Sequence, residues 1–333
     1  MTVSRGGPAA ALPWLVGDIG ATNLRFALAE PGAVGIRLSA ERRFAVADHA
    51  GLEQALAAYL ASVAPRKPRL GALAVAGPVL GDRIEITNTG WRWSTASMRE
   101  ALRFDRILCL NDAEAQALAL PHLAAADLRP VGRDNPAAVP NGTRVLIAPG
   151  SGLGVSALVT VAGRVRAIAG EGGHATMTPE TEFERGVYQA LAARHGHVSW
   201  ERVLSGPGIE AMHRESERID TRKPSGADAA AIAKAAARDA CAREAMATFG
   251  ALLGAYAGDL ALIFGARGGV FIGGGIVPAI ADMIGAGPFR LRFESKGRFG
   301  DYLRAIPTAI IAHPSPGLIG AAAHLKSIRE NDE

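Results

Sequence analysis

The sequence predicts an α/β protein of two domains, and three observations lead to that prediction. Short apolar runs alternate with Ala- and Leu-rich helical segments, which is typical of mixed or parallel sheets with helices on their faces. The 333 residues are enough for two separate cores. A turn of glycines and a hydroxyl residue, placed between two apolar runs, occurs twice. We expect a small α/β domain of residues 13–122 plus 313–330, a large α/β domain of residues 123–312, and a flexible tail of residues 1–12.

The first part of the chain opens with the first of these turns. Residues 14–30 read as a β-hairpin around it, and residues 36–46 are expected to add a third strand. A helix is predicted from Leu52 to Val63, with apolar residues repeating on one face. Strands at 70–76, 84–88 and 106–110 and helices at 94–102 and 113–120 are the other predicted elements of this part.

The second part of the chain follows a Pro-, Asp- and Gly-rich stretch at 127–142, which has the composition of a linker. The second glycine turn lies between apolar runs starting at Val145 and ending at Val159. A loop is predicted around residues 170–179 and a strand over 268–276. Helices are predicted at 182–195, at 228–264 as two helices, and at 317–329, where the last is expected to pack back on the first domain.

The composition excludes several classes of protein. The chain is 49% hydrophobic and 20% charged, and its basic residues are scattered, so we expect a globular protein without nucleic-acid partners. No run of 18 apolar residues occurs, and residues 1–13 lack the apolar segment of a signal peptide, so no membrane partner and a cytoplasmic location are expected. The two cysteines, Cys109 and Cys241, lie in no CxxC pair, which argues against a zinc site or a disulfide.

The two glycine turns indicate nucleotide chemistry. Glycine lets a ligand approach the backbone closely, and a turn of this kind exposes N–H groups that can bind phosphate. Two such turns suggest two phosphate-binding loops that hold one phosphate chain between them. The sequence has neither a GxxxxGK[ST] P-loop nor a GxGxxG helix start with an acid about twenty residues later, so P-loop and dehydrogenase functions are disfavoured.

Asp112 is the first candidate for chemistry. A predicted strand ends at Leu110, and Asn111 and Asp112 follow it at the start of a helix. In open α/β sheets, ligands bind beyond the carboxyl ends of the strands, so this carboxylate is well placed for chemistry. The helix dipole would keep this carboxylate ionised and able to accept a proton. The alternative, that Asp112 is only an N-cap, has equal weight on this segment alone.

Three further segments have both a functional and a structural interpretation. Glu171 and His174 flank two glycines, either as an ordinary polar loop or as a rigid loop that presents hydrogen-bonding groups to hydroxyls. Glu201 stands before a turn of small residues and would normally be a solvated glutamate near a helix start. A strand ends in three glycines at 273–275, either as a tight connection or as a close approach to adenine or ribose.

Taken in order, seven segments resemble the bacterial glucokinase family of the hexokinase and actin-like ATPase superfamily. The resemblance covers about residues 14–325, and it is the ordered set rather than any one motif that makes it specific. The segments lie at 15–23, 110–112, 150–154, 170–174, 201–208, 268–272 and 293–299. The resemblance implies a two-domain actin-like, ribonuclease H-like ATPase fold with an interdomain cleft, and an ATP-dependent glucokinase that uses ATP and Mg²⁺ and forms a homodimer.

The resemblance also implies a role for each matching residue. Asp112 would be the base that accepts the proton of the glucose 6-hydroxyl, and Asp18 would lie near Mg²⁺, reached through water. Glucose would be bound by Asn111, Asp112, Glu171, His174 and Glu201. The nucleotide would be bound by Gly17, Asp18, Ile19, Gly20, Ala21 and Thr22 of the first turn, by Gly150, Ser151 and Gly152 of the second, and by Gly274 and Gly275.

This sequence departs from the family pattern at three positions. Ala21 replaces a second glycine, which stiffens the first turn, and Ser151 replaces a threonine but keeps the hydroxyl. Ala113 stands where an aromatic is common, which should alter packing rather than chemistry. The chain lacks the cysteine-rich zinc motif of the related repressor-and-sugar-kinase family and is expected to lie outside that branch.

Three other functions compete with this prediction. A kinase for another hexose, such as mannose or fructose, is the closest. A sugar-sensing regulator without activity is disfavoured because residues 1–13 leave no room for a DNA-binding helix-turn-helix. An actin- or chaperone-like ATPase would lack the sugar-binding set of Asn111, Glu171, His174 and Glu201.

Overall fold

The computed structural model describes residues 12–32, 35–65, 67–86, 89–132 and 136–332, and within them the chain forms two compact units. The first unit comprises the described residues up to His122 together with those from Ser315 onward, and the second comprises Leu123–Pro314. The assignment of a small and a large domain stays a prediction. The tail predicted at 1–12 lies almost wholly outside the described residues.

The first unit contains seven strands and four α-helices among its described residues. The strands are β1 (Trp14–Ile19), β2 (Asn23–Pro31), β3 (Ile36–Ala45), β4 (Leu70–Val75), β5 (Arg83–Ile86), β6 (Trp91–Ser94) and β7 (Arg106–Asn111), and the helices are α1 (Leu52–Ser62), α2 (Thr95–Ala101), α3 (Asp112–Ala119) and the C-terminal α12 (Pro316–Asp332). All predicted elements of this part of the chain are present. The strand predicted at 84–88 is β5, and residues 87–88 lie outside the described residues.

The main sheet of the first unit has the strand order β3-β2-β1-β4-β7. The hairpin β1–β2 and the pair β2–β3 are antiparallel, whereas β4 is parallel to both β1 and β7. Helix α1 buries Leu52, Ala55, Leu56 and Tyr59, which lie on one face of the helix. Helix α12 packs on α3 and on the sheet, as predicted for the last helix.

The second unit contains six strands and eight α-helices among its described residues. The strands are β8 (Leu128–Pro130), β9 (Arg144–Pro149), β10 (Leu153–Val161), β11 (Arg164–Gly170), β12 (Gly269–Ile272) and β13 (Thr308–Ile311), and the helices are α4 (Glu182–His195), α5 (Trp200–Val203), α6 (Gly206–Ile219), α7 (Ala229–Ala235), α8 (Ala240–Phe264), α9 (Val277–Ala286), α10 (Phe289–Glu294) and α11 (Gly300–Arg304). The predicted second hairpin and the helix at 182–195 are confirmed, as is the pair of helices within 228–264.

The sheet of the second unit has the order β11-β10-β9-β12-β13-β8. Strand β9 is antiparallel to β10 and parallel to β12, and β13 is parallel to β12. Helix α8 lies in the core, where residues such as Phe249, Leu252 and Leu253 are buried. Its length and composition would allow it to cross a membrane, but 67% of its most apolar window is buried inside the unit, as expected of a core helix.

One prediction for this part of the chain is wrong, and one edge strand was not predicted. The stretch 127–142 is not simply a linker, because β8 pairs with β13 and the N–H of the buried Val131 donates to the Thr308 carbonyl. Strand β11 was missed because its exposed arginines, Arg164 and Arg166, hide the apolar alternation of an edge strand.

Candidate functional site

The predicted residues of the first unit gather at one edge of its sheet. Strands β1, β4 and β7 are parallel, and Ile19, Val75 and Asn111 stand side by side in their register. The carboxyl ends of the three strands therefore meet, and neighbouring strands lie about 4.8 Å apart. The first glycine turn and the start of α3 are brought to the same edge, roughly 10 Å from each other.

The first turn is shorter than its sequence motif. Gly17, Asp18 and Ile19 belong to β1, and only Gly20, Ala21 and Thr22 form the turn before β2. Gly20 N–H donates to the Asn23 carbonyl at 3.0 Å and closes the turn. Ile19 is fully buried and its carbonyl accepts from Ala76 N–H, so this residue belongs to the sheet rather than to the exposed turn.

Gly17 has a packing role in β1. A Cβ at this position would lie 2.6 Å from Leu73 Cδ2 and 3.1 Å from Phe26 Cδ1. The glycine is therefore needed for the contact between β1 and its neighbours, independently of any ligand.

Asp18 is a half-buried carboxylate at the end of β1. Burial raises its pKa above the usual value; Arg25 opposes this shift and Glu41 adds to it. A Cβ at Gly317 would lie 3.5 Å from Asp18 Cγ, so the first turn of α12 lies against this carboxylate. The positive end of the helix dipole stabilises a negative charge at this point.

The donor set around Asp18 fits an ion held mainly by water and phosphate. No group of three or more His, Cys, Asp or Glu side chains that could hold a metal occurs among the described residues. Mg²⁺ in nucleotide sites keeps several waters and takes one or two carboxylates besides the phosphates. Asp18 can serve as such a carboxylate.

Asn111, not Asp112, is the N-cap of α3. Asn111 Oδ1 accepts hydrogen bonds from the N–H groups of Ala113 at 2.9 Å and Glu114 at 3.2 Å, and its Nδ2 donates to the Gly77 carbonyl at 3.1 Å. The interpretation of Asp112 as only an N-cap is therefore wrong. The side chain of Asn111 is held in place by both of its ends.

Asp112 is the first residue of α3 and is half-buried. Its Oδ1 accepts from Ala113 N–H at 2.8 Å. A carboxylate in the first turn of a helix is stabilised in its ionised form, which is the form a general base requires.

The second turn lies at the start of a helix. Gly150 N–H donates to the Gly152 carbonyl at 2.8 Å, and Gly206 N–H, at the start of α6, donates to the Gly150 carbonyl at 3.0 Å. Ser151 is exposed at the tip. The helix start beside this turn was not assigned a role from the sequence, although the cap Ser205 and the following Pro207 are typical signals of a helix N-terminus.

The triple glycine lies alongside the second turn. Gly273 N–H donates to the Ile147 carbonyl at 2.9 Å, and a Cβ at Gly150 would lie 3.9 Å from the Gly275 nitrogen. Gly274 has φ of +92°, and a Cβ there would collide with the Pro149 carbonyl. A side chain at 274 is excluded by both the backbone conformation and the space.

Glu201 reaches the second turn directly. Its Oε2 accepts from Leu153 N–H at 3.1 Å, and a Cβ at Gly152 would lie 2.6 Å from the same oxygen. The interpretation of Glu201 as merely a solvated glutamate is therefore wrong. The carboxylate is half-buried and connects α5 to the glycine turn.

Glu171 precedes a 3₁₀ turn that begins at Gly172, and His174 is the last residue of that turn. Their side chains are 62% and 61% exposed, and Glu171 Oε2 lies 4.0 Å from His174 Nε2. Gly173 packs so closely on the Leu153 carbonyl that no Cβ would fit. The backbone of this loop is fixed against the second turn, while the two side chains point outward and are accessible to a ligand.

The structure thus brings together two sets of predicted residues, one in each unit. The first turn, Asn111 and Asp112 share one sheet edge of the first unit. In the second unit, the second turn is in contact with the triple glycine, with Glu201 and with the loop that carries Glu171 and His174.

Comparison with known proteins gives consistent results. A profile of the glucokinase family matches residues 15–328. The glucokinase of Chromobacterium violaceum is 46% identical over 320 residues, which cover 95% of this chain and 90% of that protein. The crystal structure of a glucokinase from an Antarctic psychrotroph has a TM-score of 0.85 and 33% identity, covering 95% of this chain and 99% of the other.

A more distant structure shows the fold alone. The ROK family glucokinase from Streptomyces griseus, solved in complex with glucose and AMPPNP, has a TM-score of 0.65 and 19% identity and covers 94% of this chain and 98% of the other. The predicted actin-like α/β fold class is confirmed by these likenesses. The family match spans nearly the whole chain and agrees with the arrangement of both residue sets, and the chain belongs to the glucokinase family.

Proposed function

We propose that the protein transfers the γ-phosphoryl group of ATP to the 6-hydroxyl of D-glucose, with Asp112 as the general base. Membership of the glucokinase family supports the reaction, and the structure from Streptomyces griseus holds glucose and the ATP analogue AMPPNP. The observation that carries the proposal is the position of Asp112, in the first turn of α3 and at the sheet edge that also carries the first glycine turn.

Phosphoryl transfer requires alignment and charge neutralisation more than covalent help from the protein. Holding two reactants in a near-attack geometry can lower the barrier by roughly 7–11 kcal/mol. Asp112 would accept the proton of the 6-hydroxyl as the oxygen attacks phosphorus, a role that contributes about 10²–10⁴-fold to the rate. Its place at a helix N-terminus favours a negative charge on the carboxylate.

The remaining sugar hydroxyls would be bound by Asn111, Glu171, His174 and Glu201. A carboxylate can accept two hydroxyl hydrogens, and a site built to bond hydroxyls discriminates strongly against sugars that lack them. Glu201 has one oxygen on the Leu153 N–H, so sugar binding and the shape of the second turn are connected through one side chain.

The triphosphate would be held at the turns Gly20–Thr22 and Gly150–Gly152 by backbone N–H groups other than those of Gly20 and Gly150, which close the two turns. The second turn adds the N-terminus of α6, where the helix dipole favours negative charge. Gly274 and Gly275 would lie near the adenosine, and the space beside Gly275 is open. Asp18 would hold Mg²⁺ through water, and the ion would neutralise charge on the phosphates.

A homodimer and a cytoplasmic location are also proposed, from membership of the glucokinase family. Both are independent of the catalytic proposal. Sedimentation of the purified protein at several concentrations tests the first, and fractionation of cells expressing the chain tests the second.

A coupled assay for sugar phosphate tests the proposed reaction. Glucose, mannose and fructose are each offered with ATP, ADP or polyphosphate, and Mg²⁺ is withheld in a control. We expect the highest kcat/KM with glucose and ATP and no product without Mg²⁺. A higher kcat/KM with mannose or fructose would assign a different hexose kinase. ATP hydrolysis that does not depend on sugar would contradict the proposal.

A further inference from the structure

The second unit contains a cavity of about 440 Å³ between its sheet and α8. Val155 and Ala157 of β10 lie on one side, next to Ile168, because directly paired residues of an antiparallel ladder share a face. Tyr256 and Ile263 of α8 lie on the other side, seven residues apart on one face of the helix. None of the residues assigned above to glucose or ATP lines this space, which we call the α8 cavity.

The α8 cavity contains one polar group without a partner. Tyr256 is 3% exposed, and its hydroxyl has no hydrogen-bond partner among the described residues. A Cβ at Gly172, which also lines the cavity, would lie 2.9 Å from this oxygen. A buried hydroxyl without a partner carries a desolvation cost that an acceptor on a ligand would remove.

The charges around the cavity restrict what can bind. Asp259 lines it and pairs with Lys296, whose Nζ lies 2.6 Å from the Asp259 Oδ1. Burial and the negative charge of Asp259 raise the pKa of Tyr256, so its hydroxyl remains a donor at neutral pH. Because Asp259 is already paired with Lys296, the lining offers no free counter-charge, and an ion of either sign would have to enter a mostly apolar space.

We propose that the α8 cavity binds a small neutral molecule that is apolar except for one hydrogen-bond acceptor, which accepts a hydrogen bond from the Tyr256 hydroxyl. The volume lies in the range of small-molecule sites, about 300–1,000 Å³, and the lining of apolar groups with one polar anchor is typical of them.

Occupancy of the α8 cavity is linked to the sugar site through Trp200. The Trp200 ring stacks on Tyr256 with centroids 4.7 Å apart, and Trp200 directly precedes Glu201. Trp200 N–H donates to the Ala175 carbonyl, and Ala175 N–H donates to the Gly172 carbonyl, within the loop that carries His174. This linkage rests on the proposed function, whereas binding in the cavity does not.

Ligand-observed NMR with a matched pair of probes tests the binding. Acetophenone offers a carbonyl oxygen, and α-methylstyrene has nearly the same shape with a methylene group instead. We expect the wild-type protein to prefer acetophenone by roughly 3- to 10-fold, as one hydrogen bond contributes. Tyr256→Phe should bind both probes equally. A preference that persists in Tyr256→Phe, or no binding of either probe to wild type, overturns the proposal.

A second pair of variants tests the location without disturbing the core. Ile263 is 72% exposed at the mouth of the cavity in the last turn of α8, and Ile219 is 56% exposed in the last turn of α6, outside the lining. Ile263→Arg should weaken acetophenone binding about tenfold or more. The arginine can pair with Asp259, one turn earlier on the same face of α8, and its side chain would then cover the mouth. Ile219→Arg should leave it unchanged. Equal effects of the two variants overturn the location.

Glucose titrations followed by tryptophan fluorescence test the linkage. Acetophenone should change the glucose Kd by about fivefold or more, and glucose should change the acetophenone Kd by the same factor.

If the probe fails to bind a protein that phosphorylates glucose, the cavity proposal fails and the proposed function stands. If the probe binds to a protein without sugar kinase activity, only the function and the linkage fail. If Ile263→Arg converts a wild-type dimer to monomer, a second copy covers the cavity and the small-molecule proposal is overturned.

Discussion

The two units of the chain build their sites on the same local scaffold. In each, a glycine hairpin has a third antiparallel strand on one side and two parallel strands on the other, giving β3-β2-β1-β4-β7 in the first unit and β11-β10-β9-β12-β13 in the second. The hairpin turn stands beside the carboxyl end of the first parallel strand in both. The shared scaffold places a turn at the sheet edge, and the residues around the turn decide its chemistry.

The first difference between the units is the source of the carboxylate at the turn. In hairpin register, Asp18 of β1 corresponds to Ala148 of β9, since each stands one residue before the last paired residue of its strand, Ile19 or Pro149. The first turn therefore carries its own carboxylate, while the second turn receives the carboxylate of Glu201 from α5.

The second difference lies at the end of the last parallel strand. Asn111 ends β7 and Asp112 follows it in the first unit, and the corresponding positions after β13 are Ala312 and His313. Ala312 N–H donates to the Asp127 carbonyl, a purely structural bond. The first unit therefore has carboxylates near the end of β1 and directly after β7, whereas the second unit has none at the corresponding positions and receives the carboxylate of Glu201 from α5.

Removing the carboxylate of Asp112 should have the largest effect. We expect Asp112→Asn to lower kcat about 10²–10⁴-fold while the glucose KM and the melting temperature stay close to wild type, because the amide cannot accept the proton. The control is Glu114→Gln, a carboxylate-to-amide change in the same helical turn. Steady-state kinetics decides the result, and near-normal turnover of Asp112→Asn would remove this residue as the base.

Glu201 is expected to have the next largest effect, on binding rather than turnover. Glu201→Gln keeps an acceptor for Leu153 N–H but loses the charge, so the glucose KM should rise roughly 10- to 150-fold, since a hydrogen bond to a charged group contributes about 1.5–3 kcal/mol. Glu201→Ala also leaves Leu153 N–H unpaired and should raise the ATP KM as well. If both variants change the glucose KM and the ATP KM in the same proportion, the contact with Leu153 N–H has no separate role in ATP binding and this prediction is wrong.

Replacing Asp18 should raise the stability of the fold and weaken the binding of Mg²⁺. Its pKa is raised in the folded protein, so the folded state keeps a proton at pH values where the unfolded chain has lost it, and stability falls as pH rises from 3.8 through the raised pKa. Asp18→Asn cannot ionise and should melt at a higher temperature at pH 7 in EDTA, with the gain shrinking as pH falls toward 4. The apparent Mg²⁺ affinity should fall about 10- to 100-fold.

The prediction for Asp18→Asn can be contradicted by one measurement and has a matched control. A lower melting temperature for Asp18→Asn at pH 7 would mean that contacts to the ionised carboxylate outweigh its desolvation. The matched variant is Asp105→Asn, an exposed carboxylate of the same unit whose pKa is lowered by Arg69, and there the substitution should not stabilise the fold.

The sequence predicted most elements because their local signals agree with the fold. Both hairpins and the helix over 182–195 follow apolar patterns and capping residues that the structure uses, such as the cap Thr181 of α4. The edge strand β11 was hidden by its arginines, and β8 has only three residues. Strand pairing over more than a hundred residues, as between β8 and β13, leaves no local pattern.

The candidate site was predictable by residue type but not by contact. The sequence indicated Glu201, yet nothing local showed that it accepts from Leu153 N–H, 48 residues away. The cap of α3 is different, because Asn111 is a preferred capping residue and its bonds reach only two and three residues along the chain. The role of Gly17 in packing against Leu73 was equally invisible, because it depends on a neighbouring strand.

The smallest effects are expected from Gly17→Ala and Gly152→Ala. The first should affect stability and the second glucose binding. Each new Cβ would meet a side-chain atom at 2.6 Å, Leu73 Cδ2 in the first case and Glu201 Oε2 in the second. In the first unit the neighbours are buried on all sides, so Gly17→Ala should destabilise the protein by about 1–3 kcal/mol through overpacking, with the glucose KM unchanged. Glu201 is half-buried and can shift, so Gly152→Ala should leave the melting temperature nearly constant and raise the glucose KM severalfold. Denaturant melts and steady-state kinetics measure both quantities, and a loss of stability confined to Gly152→Ala would reverse the assignment of packing to the first turn and binding to the second.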